Sequence, residues 1–299
     1  MQEAPSVSEI FGPDISLERL RDTADHLADQ MLAHHWHVDR MPWATLPLFP
    51  VDPQIDPRRS RKLVKFYKAV VAVQTRAEEI AVSIARRLLV AAESAKLDIE
   101  FRRAIAAIMN DEASHVATMI KLEAAAEAAF PDVPTRDGES PLFAALMPAI
   151  ETLEPSVAAT FMASYEASVA IRSYAEEKTY KVDSVLGAMA PRAAEDDGRH
   201  AKTLRIVARV FLDRFRTEHG DDQKSTAWRA KLLDPFKEFW ELMPAHEYYL
   251  AGNDLRQLKN VRAQIDHDVL IMRGILNYLG VTAETQAYVN LELKEKEPA

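Results

Sequence analysis

The sequence predicts an all-α fold. Helix-forming residues dominate its 299 positions, only 8 of which are Gly, and apolar side chains recur at helical spacing over long stretches. So few glycines argue against a protein built from many tight β-turns. A hydrophobic fraction of 48% and a charged fraction of 28% are those of an ordinary globular chain that can bury a substantial core.

The N-terminal part combines one helix with one extended stretch. Residues 16–38 form a first amphipathic segment, which we expect to be helical. Residues 41–59 contain five prolines, and proline removes a backbone donor and clashes inside a helix. We therefore expect a loop that wraps over the surface there.

Four long helices are predicted in the centre of the chain. They lie near 59–93, 95–129, 155–181 and 184–217. A turn signal, FPDVPTRDGESP, closes the first pair and is followed by a short helical segment near 141–152. Pro191 leaves open whether the last long helix is broken or only kinked. Residues 59–217 thus predict one four-helix unit.

The C-terminal part predicts three further helices, near 224–250, 254–280 and 282–293. Length alone suggests about two domains. However, the helices at 16–38 and 224–293 can cover the central unit, so we predict a single domain over residues 1–299.

Composition excludes several classes of protein and site. The chain has no Cys, so disulfides, thiolate zinc sites and a cysteine nucleophile are excluded, and any metal must be held by His and carboxylates. With 37 basic and 46 acidic residues the net charge is −9, which disfavours nucleic acid as a partner. The sequence shows neither a signal peptide nor a membrane-spanning apolar run, so we expect a soluble cytoplasmic protein without a membrane partner.

Two short motifs carry the chemistry. Asp111-Glu112-x-x-His115 and Asp196-Asp197-x-x-His200 share the pattern acid-acid-x-x-His. Residues three apart on a helix lie about 60° apart around its axis and about 4.5 Å apart along it, so carboxylate and imidazole can reach one ion. This spacing suits a metal chelate, although the pattern is not rare by itself.

The surroundings of each motif favour the metal interpretation. Glu112 and His115 interrupt an otherwise apolar stripe that contains Ile108 and Met119, and Asp197 and His200 interrupt a similar stripe. An ionised carboxylate on a buried face must be paired or bind a metal. The motifs therefore predict polar ligands inside the core.

One further carboxylate precedes each motif. Glu78 lies 34 residues before Glu112, and Glu166 lies 31 residues before Asp197; both interrupt apolar faces. Paired antiparallel helices of about 30 residues bring such positions to the same level. Glu79 lies on the more polar side of its helix, so Glu78 is preferred, but a modest helix rotation would reverse that choice.

Four carboxylates and two histidines on four helices are the ligand set of ferritin-like di-iron or di-manganese bundles. Residues 66–211 resemble the ferritin-like non-haem diiron carboxylate oxidoreductases, most closely the para-aminobenzoate N-oxygenase group. Acyl-carrier-protein desaturases and bacterial multicomponent monooxygenases share this arrangement. The resemblance implies a ferritin-like four-helix core with additional N- and C-terminal helices.

The resemblance also implies a role for each residue. Glu78 and His115 would be terminal ligands of one iron, and Glu166 and His200 of the other. Glu112 and Asp197 would bridge the two ions. Asp111 and Asp196 match the acids that hydrogen-bond the second nitrogen of a ligand histidine in these families.

The chain departs from the family pattern at two positions. Asp197 stands where Glu is usual, and its shorter reach predicts that it binds one iron only, which leaves a more open coordination position or a weaker second metal site. The N-oxygenase group has an additional histidine one turn before the second motif, where this chain has Ala193.

The function expected from these features is that of an O₂-dependent diiron oxygenase or oxidase, with N-oxygenation or hydroxylation as the reaction. Two iron ions would be the cofactor, with manganese as the alternative because it accepts the same ligands. The substrate would be a small or carrier-bound organic molecule. The chain has no dinucleotide-binding fingerprint, so a separate reductase or ferredoxin must supply electrons.

Three alternatives stay open at this point: an acyl-carrier-protein-type desaturase or hydroxylase, a ferritin-like iron-binding protein without an organic substrate, and a metal-free helical interaction protein. A homodimer is compatible with each of the enzymatic interpretations. The asymmetric halves and long C-terminal part argue against a ferritin cage.

Two smaller features have competing interpretations. Phe161, Met162 and Tyr165 border the face of Glu166, and they either pack in the core or line a substrate pocket. In the sequence HHWH at 34–37, His34 and His37 share a helix face and could bind a metal. An amphipathic helix end, where cationic histidines suit the helix dipole, is the preferred interpretation.

Overall fold

The computed structural model describes residues 15–177, 183–251 and 255–289, and these ranges contain helices and loops but no β-strand. The predicted all-α fold is confirmed. The helices are α1 (Leu17–His34), α2 (Pro57–Ser94), α3 (Ile99–Ala129), α4 (Pro141–Ala149), α5 (Pro155–Glu177), α6 (Val185–His219), α7 (Thr226–Trp228), α8 (Asp234–Glu241), α9 (Met243–Ala251), α10 (Leu255–Tyr278) and α11 (Ala283–Val289). No helix in this part of the chain is both long and apolar enough to cross a bilayer.

Capping side chains fix where the long helices begin. The Asp56 carboxylate accepts the backbone N–H groups of Arg58 and Arg59, and Pro57 occupies the first position of α2. Likewise, the Ser184 hydroxyl accepts the N–H of Gly187 at the start of α6. These residue types satisfy backbone donors that have no partner within the helix.

Four long helices form the central bundle. Helix α2 packs along α3, and α5 packs along α6; α3 also contacts α6, and α2 contacts α5, which closes the ring of four. Helix α6 continues through Pro191 without a break. The single-domain arrangement of the whole chain stays a prediction.

The segment between α1 and α2, residues 35–56, runs over one end of the bundle, and we call it the strap. It contains one short 3₁₀ turn, Val38–Arg40, and is otherwise non-helical, as its prolines predict. Two of its carbonyls, those of Pro47 and Leu48, accept the first N–H groups of α6 from Val185 and Leu186. The strap is thereby fastened to the beginning of α6.

The prediction of one continuous helix over 224–250 is wrong. The chain there forms α7, a π-helical turn at Arg229–Leu233, α8 and α9. Pro235 and Pro244 each lie at the second position of a helix, where a proline is tolerated because its missing N–H has no helical partner. Each proline therefore starts a new helix instead of continuing the preceding one.

Lys68 and Thr75 lie on the same polar side of α2 as Glu79, but both are buried. The loop after α3 folds over this face, and Lys68 Nζ donates to the carbonyl of Val133 at 2.6 Å and pairs with Glu127 at 2.8 Å. Thr75 Oγ1 donates to the Val71 carbonyl of its own helix. Contacts with residues distant in sequence thus bury side chains that lie on the polar face of a helix.

Buried apolar side chains form two separate blocks along the bundle. The larger block, which we call the main core, contains Ile84, Ile108, Met162 and Val207 and extends over the C-terminal helices. The smaller block, the strap-side core, contains Trp36, Phe49, Val71, Met119 and Met189. On α3 and α6 the two blocks are separated by the motif residues at 111–115 and 196–200.

We expect Gly138→Ala to destabilise the protein. A Cβ at this loop position would lie 2.2 Å from the carbonyl oxygen of Ala72 on α2, so the loop would have to move away. Overpacking of this kind typically costs about 1–3 kcal/mol in the free energy of unfolding. Gly274→Ala is the matched control, because a Cβ there meets nothing within 4 Å, and Ala in a helix is favoured over Gly by roughly 0.5–1 kcal/mol. Urea unfolding of both variants checks this, and a Gly138→Ala variant as stable as the wild type would contradict it.

Candidate metal centre

Helices α2 and α3 bring together the first predicted half-site. His115 Nδ1 lies 3.4 Å from Glu78 Oε2 and 3.5 Å from Glu112 Oε2. The Glu78 side chain is only 12% exposed, whereas Glu79 is 40% exposed and pairs with Arg76 at 2.9 Å. The structure therefore places Glu78, not Glu79, beside the motif.

Helix α5 supplies the second half-site together with α6 and Glu112 of α3. His200 Nδ1 lies 2.7 Å from Glu112 Oε1 and 3.8 Å from Glu166 Oε2. Among the described residues, two groups could each offer three ligand atoms within 4.8 Å of one another. They are Glu78, Glu112 and His115, and Glu112, Glu166 and His200.

Glu112 is common to both groups, with one carboxylate oxygen toward each histidine. Apart from these contacts with one another and with Glu78 and Glu166, the two oxygens and Nδ1 of His115 and His200 have no hydrogen-bond partner among the described residues, although all four atoms are buried. Buried polar atoms without hydrogen bonds are costly, and imidazole nitrogen and carboxylate oxygen are ordinary metal ligands. These buried atoms, which face only one another, therefore fit a metal centre in which Glu112 is shared.

Asp197 is buried close to the cluster but belongs to neither group of three. Its pKa is raised well above the ordinary value by burial and by the carboxylates of Glu166 and Glu78. It therefore shares the electrostatic environment of the half-sites. Its predicted bridging between two ions stays a prediction.

The acids of the cluster raise one another's pKa values. Burial and the neighbouring Glu112 carboxylate raise the pKa of Glu78 to about 8. The same two causes raise the pKa of Glu166. A buried group of like charges holds protons unless cations are present.

The pKa shifts of Glu112 and the two histidines, in contrast, favour the charged form of each side chain. Burial would raise the pKa of Glu112, but the charge of His200 and the nearby His115 ring outweigh it and lower that pKa. Burial would lower the histidine pKa values, yet the Glu78 carboxylate raises that of His115 and Glu112 raises that of His200. Positive charge at His115 and His200 is thus strongly favoured.

The first acid of each motif contacts the histidine of the other motif. His115 Nε2 lies 3.2 Å from Asp196 Oδ2, and His200 Nε2 lies 3.3 Å from Asp111 Oδ2. Burial would raise the pKa of Asp196, but its bond with His115 and the nearby positive groups outweigh this and lower it to about 2. An ionised carboxylate at Nε2 holds the proton there and leaves Nδ1 to face the cluster.

The strap supplies two residues that the sequence did not indicate as part of the site. Trp36 Nε1 donates to Asp196 Oδ2 at 2.7 Å, and His35 Nδ1 lies 2.7 Å from Asp111 Oδ1. Only the cluster HHWH pointed to this region, and His34 instead bonds the Gln30 carbonyl at the end of α1. His37 packs edge-on against His35, with ring centroids 4.6 Å apart.

The residues considered for a substrate pocket pack in the main core. Phe161 contacts the ring of Phe239 on α8, with centroids 6.0 Å apart. Tyr165 lies edge-on to Phe143 of α4, and Met162 is buried. A substrate pocket lined by these residues stays a prediction.

Comparison of the chain with protein-family models, with curated proteins and with solved structures gave no match. The assignment of this cluster therefore depends on its own geometry. Four helices bring buried carboxylates and two imidazoles together in an arrangement that could bind metal.

Proposed function

We propose that the cluster holds two metal ions that share the Glu112 carboxylate. The observation that carries this proposal is the position of Glu112, with Oε2 toward His115 and Oε1 toward His200 and no described residue outside the cluster bonded to either oxygen. Glu78 and Glu166 would supply the outer carboxylates, and the buried Asp197 would be the sixth ligand. Two dications would neutralise acids that otherwise raise one another's pKa.

Oxygen and imidazole ligands without sulfur suit iron, and they also accept manganese. We propose iron, and with it an O₂-dependent oxygenase or oxidase that acts on a small or carrier-bound organic molecule. Two bound ferrous ions would supply electrons for O₂ reduction and the oxidising power for the substrate. A separate reductase or ferredoxin would restore the ferrous state.

The chain's own residues hold and shield this centre. The imidazoles would offer Nδ1 to the ions, because Asp196 and Asp111 lie at Nε2 and keep the protons there. The apolar blocks on both sides exclude water from the reacting centre.

Iron content and O₂ reactivity test the proposal. The protein, loaded anaerobically with Fe(II), is expected to bind two iron ions per chain and to react with O₂ with a transient optical change. Candidate amines and acyl thioesters should accelerate the decay of that signal if they are substrates, and acceleration by acyl thioesters alone would favour the desaturase class. Well below one iron per chain overturns the metal centre, and bound iron without O₂ reactivity overturns the oxygenase.

Metal affinity is expected to rise with pH. Because the pKa of Glu78 is raised to about 8, the metal-free site holds a proton below that pH, and an incoming ion must displace it. Each displaced proton makes the apparent affinity rise about tenfold per pH unit. Mn(II) titrations between about pH 5.5 and 7.5, followed by the EPR signal of free Mn(II), measure this, and an affinity that does not change with pH would contradict it.

The stability of the metal-free protein should change with pH in the opposite direction. The folded state keeps a proton on Glu78 that the unfolded state releases above its ordinary pKa of 4.5. This group's contribution to stability is therefore complete below about pH 4.5 and is lost as the pH rises to about 8.

A further inference from the structure

The strap reaches both halves of the cluster through two consecutive residues. Trp36 is 6% exposed, and its indole N–H donates to the same Asp196 oxygen that contacts His115 Nε2. The Trp36 ring also stacks on the His115 ring, with centroids 5.1 Å apart and planes at 27°. Trp36 thus holds the carboxylate that contacts His115 and also packs against the face of the His115 ring.

His35 makes the corresponding contact in the other half-site. Its Nδ1 lies 2.7 Å from Asp111 Oδ1, while Oδ2 of that carboxylate contacts His200 Nε2 at 3.3 Å. The hydroxyl of Ser114 lies 3.1 Å from His35 Nε2 and helps to orient the ring. Neither strap residue is part of either group of potential ligands.

We propose that the strap is a positioning clamp that sets the two metal affinities separately. Trp36 acts through Asp196 on the half-site of Glu78 and His115, and His35 acts through Asp111 on the half-site of Glu166 and His200. This inference rests on the proposed metal centre and adds residues outside the four-helix motif to it.

A carboxylate that loses a hydrogen-bond donor can rotate more freely, and it then orients the histidine it contacts less well. With Trp36 in place, the Asp196 carboxylate has a fixed position from which it orients His115, and Arg199 donates to its other oxygen. Loss of such an outer hydrogen bond typically costs about 10–100-fold in metal affinity. We expect a loss of about tenfold in the half-site concerned.

The test measures Fe(II) binding anaerobically in two backgrounds that each retain one complete group of three. Glu166→Ala leaves the half-site of Glu78 and His115, and Glu78→Ala leaves the other. In the Glu166→Ala background, Trp36→Phe should weaken binding about tenfold and His35→Gln less than about threefold. The order should reverse in the Glu78→Ala background.

Two further variants separate positioning from general loss of structure. Trp43→Phe is the matched control, since Trp43 is also in the strap but donates to the carbonyl of Val38, away from the cluster; it should leave both affinities unchanged. Trp36→Phe should also add little to the effect of Asp196→Asn, because both act on one chain of contacts. Full additivity would overturn the positioning role even if each variant is less stable.

The outcomes distinguish the clamp from the metal centre itself. If the wild-type protein binds no Fe(II), the metal centre and the clamp are both wrong. If it binds two ions, but Trp36→Phe and His35→Gln weaken both half-sites equally or not at all, only the clamp is wrong.

Discussion

Glu112→Gln is expected to abolish the binding of both metal ions. Glu112 is the one carboxylate that belongs to both groups of ligands, and its oxygens lie 3.5 Å from His115 Nδ1 and 2.7 Å from His200 Nδ1. The amide is close in size but carries no charge and presents one oxygen instead of two. Metal analysis after anaerobic Fe(II) loading should therefore fall from about two iron ions per chain to nearly none.

Glu79→Gln is the matched control for this substitution. It makes the same chemical change one residue from Glu78, but on a side chain that is 40% exposed and paired with Arg76. An exposed pair of this kind contributes little to stability, typically about 0–1 kcal/mol. The control should keep its full iron content, whereas a Glu112→Gln protein that still binds one tight iron would show that the carboxylate is not shared.

Metal loading is expected to produce the largest change in stability. The metal-free cluster contains Glu78, Glu166 and Asp197, whose pKa values are all raised by burial and by neighbouring carboxylates. A ligand that binds only the folded state stabilises it by about 4 kcal/mol at a free concentration of 1,000 times its Kd. For a chain of this size each kcal/mol raises the melting temperature by roughly 2–4 °C.

Thermal unfolding under anaerobic conditions, with and without Fe(II) or Mn(II), measures this shift. Glu112→Gln should melt at the same temperature in both conditions, because it lacks the shared ligand. An equal increase in this variant would show that the stabilising ions bind elsewhere on the protein.

Local patterns predicted most of the bundle and the residues that approach one another in the site. The four long helices follow from helical periodicity and from the turn signal FPDVPTRDGESP that closes the first pair. The choice of Glu78 over Glu79 also follows from periodicity, because one residue interrupts an apolar face and its neighbour does not.

Features that depend on distant contacts could not be predicted in this way. Trp36 meets Asp196 across 160 positions of sequence, and His35 meets Asp111 across 76. Nothing in the local sequence HHWH shows which ring will face the bundle. The division of 224–250 was accessible, because Pro235 and Pro244 mark two helix starts, but the strong helical composition of that stretch concealed it.

The separation of the apolar interior into a main core and a strap-side core has a consequence for folding cooperativity. Between the two blocks, α3 and α6 carry a layer of buried carboxylates and imidazoles in place of apolar contacts, so we expect unfolding of one block to be only weakly coupled to unfolding of the other. Without metal, we expect the strap and the adjoining helix ends to open as a sub-global unit while the main core stays folded. Bound ions would join the blocks into one cooperative structure, so the same ligands that serve chemistry would also determine how much of the molecule unfolds at once.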